Sequence, residues 1–216
     1  MTDRDDAGDA GGIDDGEEED CPWSNAPTPP DSLGLARGTV ELVPYRGAWV
    51  TAFEREAARL EAALGEDAVA VEHVGSTAVQ GLPAKPILDV AVGVPDLAVA
   101  RRHRERGTLR DLGYAFRGTD DVPDRLFFAR GPPERRTHYV SVTPVDGETF
   151  REQVAFRDAL EADDALREAY AALKRDLAST HGDERERYTA EKSAFVERVL
   201  ASVGVQSADS ESTTDR

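Results

Sequence analysis

Residues 86–94, with the sequence PILDVAVGV, form the run that most constrains what this chain can fold into. Apart from Asp89, apolar side chains or glycine occupy both alternating faces of the run. Because successive side chains of a strand point to opposite faces of a sheet, such a run is typical of a central strand that is covered on both sides. We therefore expect an α/β fold with this strand inside its sheet.

The other apolar patterns predict the elements around that strand. Residues 49–64 place apolar side chains at helical spacing, and Asp96 can cap a helix that reaches about residue 112. Further strands are predicted at residues 39–43, 68–74, 114–117, 125–130 and 137–144. From residue 147 onward the pattern is helical only and predicts three amphipathic helices.

Composition and pattern together divide the chain into four segments. Residues 1–37 are predicted to be a disordered acidic tail and a Pro-rich linker, because the first twenty residues hold ten Asp or Glu and few apolar side chains. The α/β core is expected at residues 38–146, with a helical extension packed on it at residues 147–204. Residues 205–216 are predicted to be a polar tail.

The charge of the chain indicates adaptation to salt. Its 43 acidic residues outnumber 26 basic ones, for a net charge of −17, and only three of the basic residues are Lys. Dense carboxylates repel one another unless concentrated salt screens them, so we expect a halophilic protein from a haloarchaeon. The alternative is an acidic face that recruits a basic partner. Under either interpretation this surface disfavours nucleic-acid binding.

The sequence also predicts where the protein resides. We find no apolar run long enough to span a membrane and no basic, then apolar, signal segment, so we expect a cytoplasmic protein without a membrane partner. Cys21 is the one cysteine, which excludes a disulfide framework within one chain. The oligomeric state is left open.

The stretch between the predicted strands at residues 68–74 and 86–94 has the residues most suited to chemistry. Gly75-Ser76 follows the first strand, Lys85 lies further along, and Asp89 is the lone carboxylate of the second strand. Glycine lets a backbone approach a phosphate closely, and a buried Asp needs a partner such as a divalent metal or Lys85. By itself a Gly-Ser pair is also compatible with an ordinary turn.

Residues 72–90, EHVGSTAVQGLPAKPILDV, resemble the signature of the GrpB family, and the resemblance extends over residues 38–202. It implies a nucleotidyltransferase-like domain with a mixed sheet and flanking helices. In active members of that superfamily, carboxylates at alternate positions of one strand hold Mg²⁺ or Mn²⁺. Here Asp89 occupies the first of these positions and Ala91 the second, which departs from the pattern.

These considerations yield a set of candidate site residues. We predict catalytic roles for Asp89 and Lys85, and metal ligation by Asp89 and His138. Contacts to a nucleotide or phosphate are predicted for Gly75, Ser76, Lys85, Arg125 and Arg136. Each has a structural alternative, since a lone strand His is more often structural and surface Arg can neutralise neighbouring acids. The family pattern also includes Arg157, Lys174, Arg187 and Lys192, which helices could bring to the rim of the pocket.

Two functional hypotheses from different classes follow. The first is metal-dependent transfer of a nucleotidyl group to a small acceptor. The second is a catalytically silent module that binds a nucleotide or a phosphorylated metabolite, and Ala91 favours it. The GrpB family is sometimes fused to dephospho-CoA kinase, which suggests a link to coenzyme A metabolism. A third possibility is a scaffold whose helices engage a protein partner.

Overall fold

The computed structural model describes residues 32–119, 122–180 and 185–205, together with Pro22, Thr28 and Pro30. The predicted acidic tail, Cys21 and nearly all of the predicted C-terminal tail lie outside the described residues. Within the part of the chain that is described, none of the helices combines the length and the apolar character needed to cross a bilayer.

Five strands form one mixed sheet in the order β1-β2-β5-β4-β3. Their bounds are β1 Ala70–Val74, β2 Leu88–Val94, β3 Tyr114–Gly118, β4 Leu126–Arg130 and β5 His138–Pro144. Strands β2 and β5 are parallel, and the other three pairs are antiparallel. The run at residues 86–94 therefore forms an interior strand, paired on both sides, as its composition predicts.

Six α-helices surround the sheet, so the predicted mixed α/β fold with flanking helices is confirmed. They are α1 Ala48–Leu64, α2 Leu97–Glu105, α3 Thr108–Asp111, α4 Glu148–Ala162, α5 Asp164–Thr180 and α6 Arg185–Ser202. Asp96 caps α2, since its carboxylate accepts a hydrogen bond of 2.8 Å from the Val99 amide. The single helix expected after Asp96 is two helices, because Gly107 adopts a φ of +75° between α2 and α3.

The two faces of the sheet are covered differently. On the first face, α1, α2 and α3 pack on alternate apolar residues of the strands, including Val90, Val140 and Phe128. On the second face, α4 packs on β1, β2 and β5, where Val74, Ala91 and Phe150 form a smaller cluster. Helices α5 and α6 lie beside α4 and do not cover the sheet broadly.

Helices α5 and α6 instead pack on the segment that joins β1 to β2. Val79 and Leu82 of that segment are fully buried, and they share one cluster with Tyr170 and Ala171 of α5. Phe195 of α6 is stacked on Tyr170, with ring centroids 5.1 Å apart. This packing holds the two C-terminal helices against the loop that carries Gly75-Ser76 and Lys85.

The N-terminal part of the core differs from the sequence prediction in two respects. Residues 39–43 are predicted to be a strand, but in the structure only Val43 makes a β-bridge, to Ala84. Residues 39–42 have no partner strand within the part of the chain that is described. The packed core also begins before the predicted boundary at residue 38. Leu33 and Leu35 are 2% and 7% exposed, and Leu33 packs in a cluster with Trp49. The buried residues thus include the end of the segment that is predicted to be linker, at Leu33 and Leu35.

Candidate functional site

The turn after β1 brings the glycine of the Gly-Ser pair directly against Asp89. Gly75 has a φ of +69°, which favours glycine. A Cβ atom at Gly75 would lie 2.6 Å from Asp89 Oδ2 and 3.0 Å from Asp89 Cβ. Val74 and Asp89 are also register partners in the antiparallel β1–β2 pair. The turn therefore packs directly on the carboxylate, and any other residue at position 75 would displace the Asp89 side chain.

Residues on the first face anchor this turn. The His73 ring stacks on Phe53 with centroids 4.7 Å apart, and its Nε2 lies 3.0 Å from Thr77 Oγ1. Burial, and then the positive charge of Arg157, lower the pKa of His73 to about 4. The imidazole is therefore neutral at pH 7, and we infer that the His73–Thr77 contact holds the residues that follow Gly75.

Beside the turn is a small cavity of about 180 Å³. We call it the lysine pocket, because the three lysines of the chain, Lys85, Lys174 and Lys192, all line it. Its other lining residues are Leu42, Ser76, Thr77, Ile87, Asp89 and Tyr139. Three separate elements thus supply ammonium groups to one cavity, namely the β1–β2 connection, α5 and α6.

Lys174 is the most deeply buried of the three lysines, at 2% exposure. Its Nζ donates hydrogen bonds to Ser76 Oγ, at 3.0 Å, and to the Pro83 carbonyl oxygen, at 2.5 Å. Burial, and then the positive charges of Lys192 and Arg175, lower the pKa of Lys174 to about 7. An anion in the pocket would counter the repulsion and favour the charged ammonium.

Asp89 is the one carboxylate that lines the lysine pocket. Burial raises the pKa of Asp89 to about 6, and the attraction of Lys192, Lys85 and Lys174 counters only part of that effect. Above pH 7 the carboxylate is therefore ionised. The ionised carboxylate then shares the cavity with three lysines, and an additional anion would favour the charged form of Lys174, which a pKa of about 7 leaves only partly charged.

The second carboxylate position of the superfamily pattern is closed in this fold. Ala91 is fully buried and packs with Val74 and Phe150 beneath α4. In the described ranges of the chain, no three His, Cys, Asp or Glu side chains are grouped so that they could hold a metal ion. A single carboxylate among three lysines does not fit a centre that binds Mg²⁺ or Mn²⁺ through paired carboxylates.

The structure separates His138 from Asp89, so the expected sharing of one metal between them must be corrected. In the β2–β5 register, Tyr139 is the partner of Asp89, whereas His138 is the partner of Leu88. His138 therefore lies on the first face of the sheet, and Asp89 on the second. Burial, and then the positive charge of Arg130, lower the pKa of His138 well below its usual range.

His138 belongs to a buried group that we call the Glu56 cluster, made of Glu56, Arg59, Tyr114, Arg130 and His138. Glu56 accepts hydrogen bonds from Arg130 at 2.7 Å, from the Tyr114 hydroxyl at 2.9 Å and from Arg59 at 2.9 Å. Arg130 also lies 2.9 Å from His138 Nε2. The carboxylate is thus surrounded by donors of the chain itself.

The two arginines predicted to bind phosphate do not line the lysine pocket. Arg136 is 2% exposed and donates a hydrogen bond to the Gly131 carbonyl oxygen. The Arg125 guanidinium lies 5.1 Å from the Phe127 ring centroid. Of the predicted phosphate contacts, Ser76 and Lys85 line the pocket, and Gly75 forms the turn at its edge.

The sequence predicts Lys174 and Lys192 only at the rim of the pocket, and it does not single out Thr77 or Tyr139 as site residues. Both of these line the pocket. Composition could have identified Lys174 and Lys192 as site residues, because only three lysines occur among the 26 basic residues. Of the other suggested rim residues, Arg157 donates to Glu72 at 2.6 Å, and the Arg187 side chain lies outside the described residues.

Comparison with known proteins supports the family resemblance. The protein is 33% identical over 172 residues to the glutamate-rich protein GrpB of Alkalihalophilus pseudofirmus, covering 78% of this chain and 98% of that one. The crystal structure of the conserved protein GrpB from Enterococcus faecalis matches with a TM-score of 0.67 and 31% identity, covering 76% of this chain and 99% of that chain.

A local similarity connects the chain to a named enzyme. It is 42% identical over 69 residues to a dephospho-CoA kinase of Mycobacterium bovis, an alignment that covers 31% of this chain and 17% of the enzyme. The family model of the GrpB protein matches residues 39–202. The protein therefore belongs to the GrpB family, as the resemblance of residues 72–90 predicts.

Proposed function

We propose that this protein binds a small phosphorylated metabolite in the lysine pocket and does not itself transfer a nucleotidyl group. One observation carries the proposal: all three lysines of a chain that otherwise uses Arg line the same cavity, together with Ser76. A compact ammonium with three donors suits a phosphate as a point charge, and a serine hydroxyl adds a further donor.

The charge balance of the whole chain strengthens this interpretation. The protein carries a net charge of −17, so a cavity with three lysines and one carboxylate is opposite in sign to the chain as a whole. Burying like charges together costs free energy unless a counter-charge arrives. A phosphate would add a counter-charge. Its binding would offset part of the burial, and of the repulsion from Lys192 and Arg175, that together lower the pKa of Lys174.

The size of the cavity indicates which part of the ligand it holds. At about 180 Å³ it is smaller than the roughly 300–1,000 Å³ of pockets that enclose drug-sized ligands. We therefore propose that it holds the phosphoryl group, while the remainder of a larger metabolite extends past Tyr139. The local similarity to dephospho-CoA kinase makes phosphorylated intermediates of coenzyme A metabolism the first larger ligands to test. The cytoplasm of a salt-adapted organism, a haloarchaeon, is the proposed setting.

Metal-dependent nucleotidyl transfer is the second candidate. The observation that favours it is the contact of the Gly75-Ser76 turn with Asp89, which is the arrangement that the superfamily resemblance implies. The closed position of Ala91 and the three lysines weigh against it. The two candidates differ in whether binding of a nucleoside triphosphate requires Mg²⁺ or Mn²⁺.

Calorimetric titration in molar KCl tests the proposal. The wild type should bind inorganic phosphate without a divalent metal, and Lys174→Met should weaken binding by about 10- to 100-fold, as expected for one charged hydrogen bond. Arg151→Met is the matched control, because it removes a positive charge from an exposed position of α4 that does not line the pocket, and it should change the affinity less than about twofold.

Two results would overturn the proposal. Absence of binding to phosphate, to nucleotides and to coenzyme A precursors would remove the binding function. Binding of a nucleoside triphosphate only with Mg²⁺ or Mn²⁺, followed by release of pyrophosphate, would favour the transferase instead.

A further inference from the structure

We propose that Asp89 makes the lysine pocket selective for oxyanions that also present a hydrogen-bond donor, such as monohydrogen phosphate, over anions of similar shape that have no proton, such as sulfate. This inference rests on the proposed phosphate-binding function and deepens it, because it specifies the chemical class of the ligand. Nothing in the GrpB comparison requires it, since the lysines alone would bind either anion.

The position of Asp89 is the first step of the argument. Its carboxylate lies against Gly75, where a Cβ would come within 2.6 Å of Oδ2, so only glycine at this position leaves room for it. Its β5 neighbour Tyr139 also lines the cavity. A ligand held by the three lysines and Ser76 therefore shares the cavity with a carboxylate on an interior strand rather than with a surface acid.

The second step is the chemistry of that carboxylate. An ionised carboxylate accepts hydrogen bonds and donates none. A fully deprotonated oxyanion also only accepts, so the two sets of oxygens would repel across a partly buried cavity. A ligand O–H or N–H removes the conflict by donating to Asp89 while its other oxygens accept from the lysines. In monohydrogen phosphate the donor is the P–OH group. The phosphoryl group of a phosphate monoester is fully ionised at pH 8, so in a phosphorylated metabolite the donor is a hydroxyl or amine next to that group. Sites built around such a donor reject analogues that lack it strongly.

The third step is the state of the groups that face Asp89. Lys85, Lys174 and Lys192 surround it from three elements, and Tyr139 is its neighbour on the sheet. Burial raises the pKa of Asp89 to about 6 despite those lysines. At pH 8 Asp89 is therefore ionised and can act only as an acceptor. Lys174, with a pKa of about 7, is mostly neutral in the empty pocket at that pH, and a bound anion would favour its charged form. Sulfate has no proton to offer at that pH, whereas monohydrogen phosphate retains one.

The test is a calorimetric titration of the full chain at pH 8 in molar KCl with inorganic phosphate and, separately, with sulfate. The wild type should bind phosphate at least about tenfold more tightly than sulfate, because only phosphate donates to Asp89. Asp89→Asn, which can donate through its amide, should bring the two affinities within about threefold of each other. Glu72→Gln is the control, since Glu72 lies on the same sheet face, pairs with Arg157 and does not line the pocket.

The outcomes separate this inference from the proposed function. Equal binding of phosphate and sulfate by the wild type would overturn the role of Asp89 while leaving an anion pocket in place. A preference for phosphate that persists unchanged in Asp89→Asn would also overturn the role of Asp89 and leave the anion pocket in place. Failure of the wild type to bind either anion would overturn both proposals. The wild-type ratio needs no variant, so it stays decisive even if Asp89→Asn does not fold.

Discussion

The two faces of the sheet each hold a cluster of charged side chains, and the clusters differ in how their charges are balanced. In the Glu56 cluster, the carboxylate accepts hydrogen bonds from Arg59, Tyr114 and Arg130, and Glu56 does not line the lysine pocket. In the lysine pocket, three lysines face one carboxylate beside a cavity. Removing one partner of a buried ion pair destabilises a fold, whereas several like-charged side chains gathered around a cavity favour a ligand of opposite charge.

The largest effect expected from this comparison is on stability, in the Glu56 cluster. Glu56→Gln should lower the free energy of unfolding by about 3–5 kcal/mol, because it leaves the guanidinium of Arg130 buried without its ionised partner. Urea unfolding in molar KCl measures this change, and phosphate affinity should stay within about twofold of the wild type. The exposed Glu54→Gln, on the same helix, should change stability by less than about 0.5 kcal/mol.

A stable Glu56→Gln variant that no longer binds phosphate would reverse the assignment of the two faces. The Glu56 cluster would then be functional, and a ligand-binding role for His138 would gain support.

A smaller effect of opposite sign is expected in the lysine pocket. Asp89 has its pKa raised from 3.8 to about 6 by burial, so the folded state holds a proton that the unfolded state has lost between those two pH values. Stability contributed by this group therefore falls as pH rises from about 4 to about 6. Asp89→Asn resembles the protonated form, and it should be more stable than the wild type by about 1–2 kcal/mol at pH 7.

The pH profile is what makes that prediction specific. At pH 4 the wild type and Asp89→Asn should have nearly equal free energies of unfolding, and the gap should open between about pH 4 and pH 6 and stay nearly constant at higher pH. Asp111→Asn, at a side chain that is 72% exposed, should show no such gap. A wild type that is more stable than Asp89→Asn at pH 7 would indicate that the lysines pair fully with Asp89 and need no added anion.

Local sequence patterns predicted the part of the pocket that β1, β2 and the turn between them form. The apolar run at residues 86–94 became β2, and Gly75 lies against Asp89 because β1 and β2 are antiparallel neighbours. Such features depend on alternation and on short connections, which a sequence displays directly. The GrpB signature covers the same stretch, so the resemblance and the local chemistry pointed to the same residues.

The other features of the site depend on contacts between residues that are far apart in the sequence, and no local pattern encodes such contacts. Lys174 donates to Ser76, 98 residues earlier in the chain, because α5 packs on the β1–β2 connection. The face that His138 occupies depends on its register with β2, and a shift by one residue would have placed it beside Asp89. The strand expected at residues 39–43 failed for a related reason, since alternation predicts a strand only where a partner strand is available.

The measurement that tests the central claim most directly is a crystal structure of the protein soaked with inorganic phosphate in a sulfate-free, molar KCl solution. The account predicts phosphate in the lysine pocket, with its oxygens about 2.7–2.9 Å from the Nζ atoms of Lys85, Lys174 and Lys192. Ser76 should donate to the same ion, and one phosphate oxygen should face Asp89. Phosphate bound only at other sites, with the lysine pocket holding water at saturating phosphate, would contradict the account.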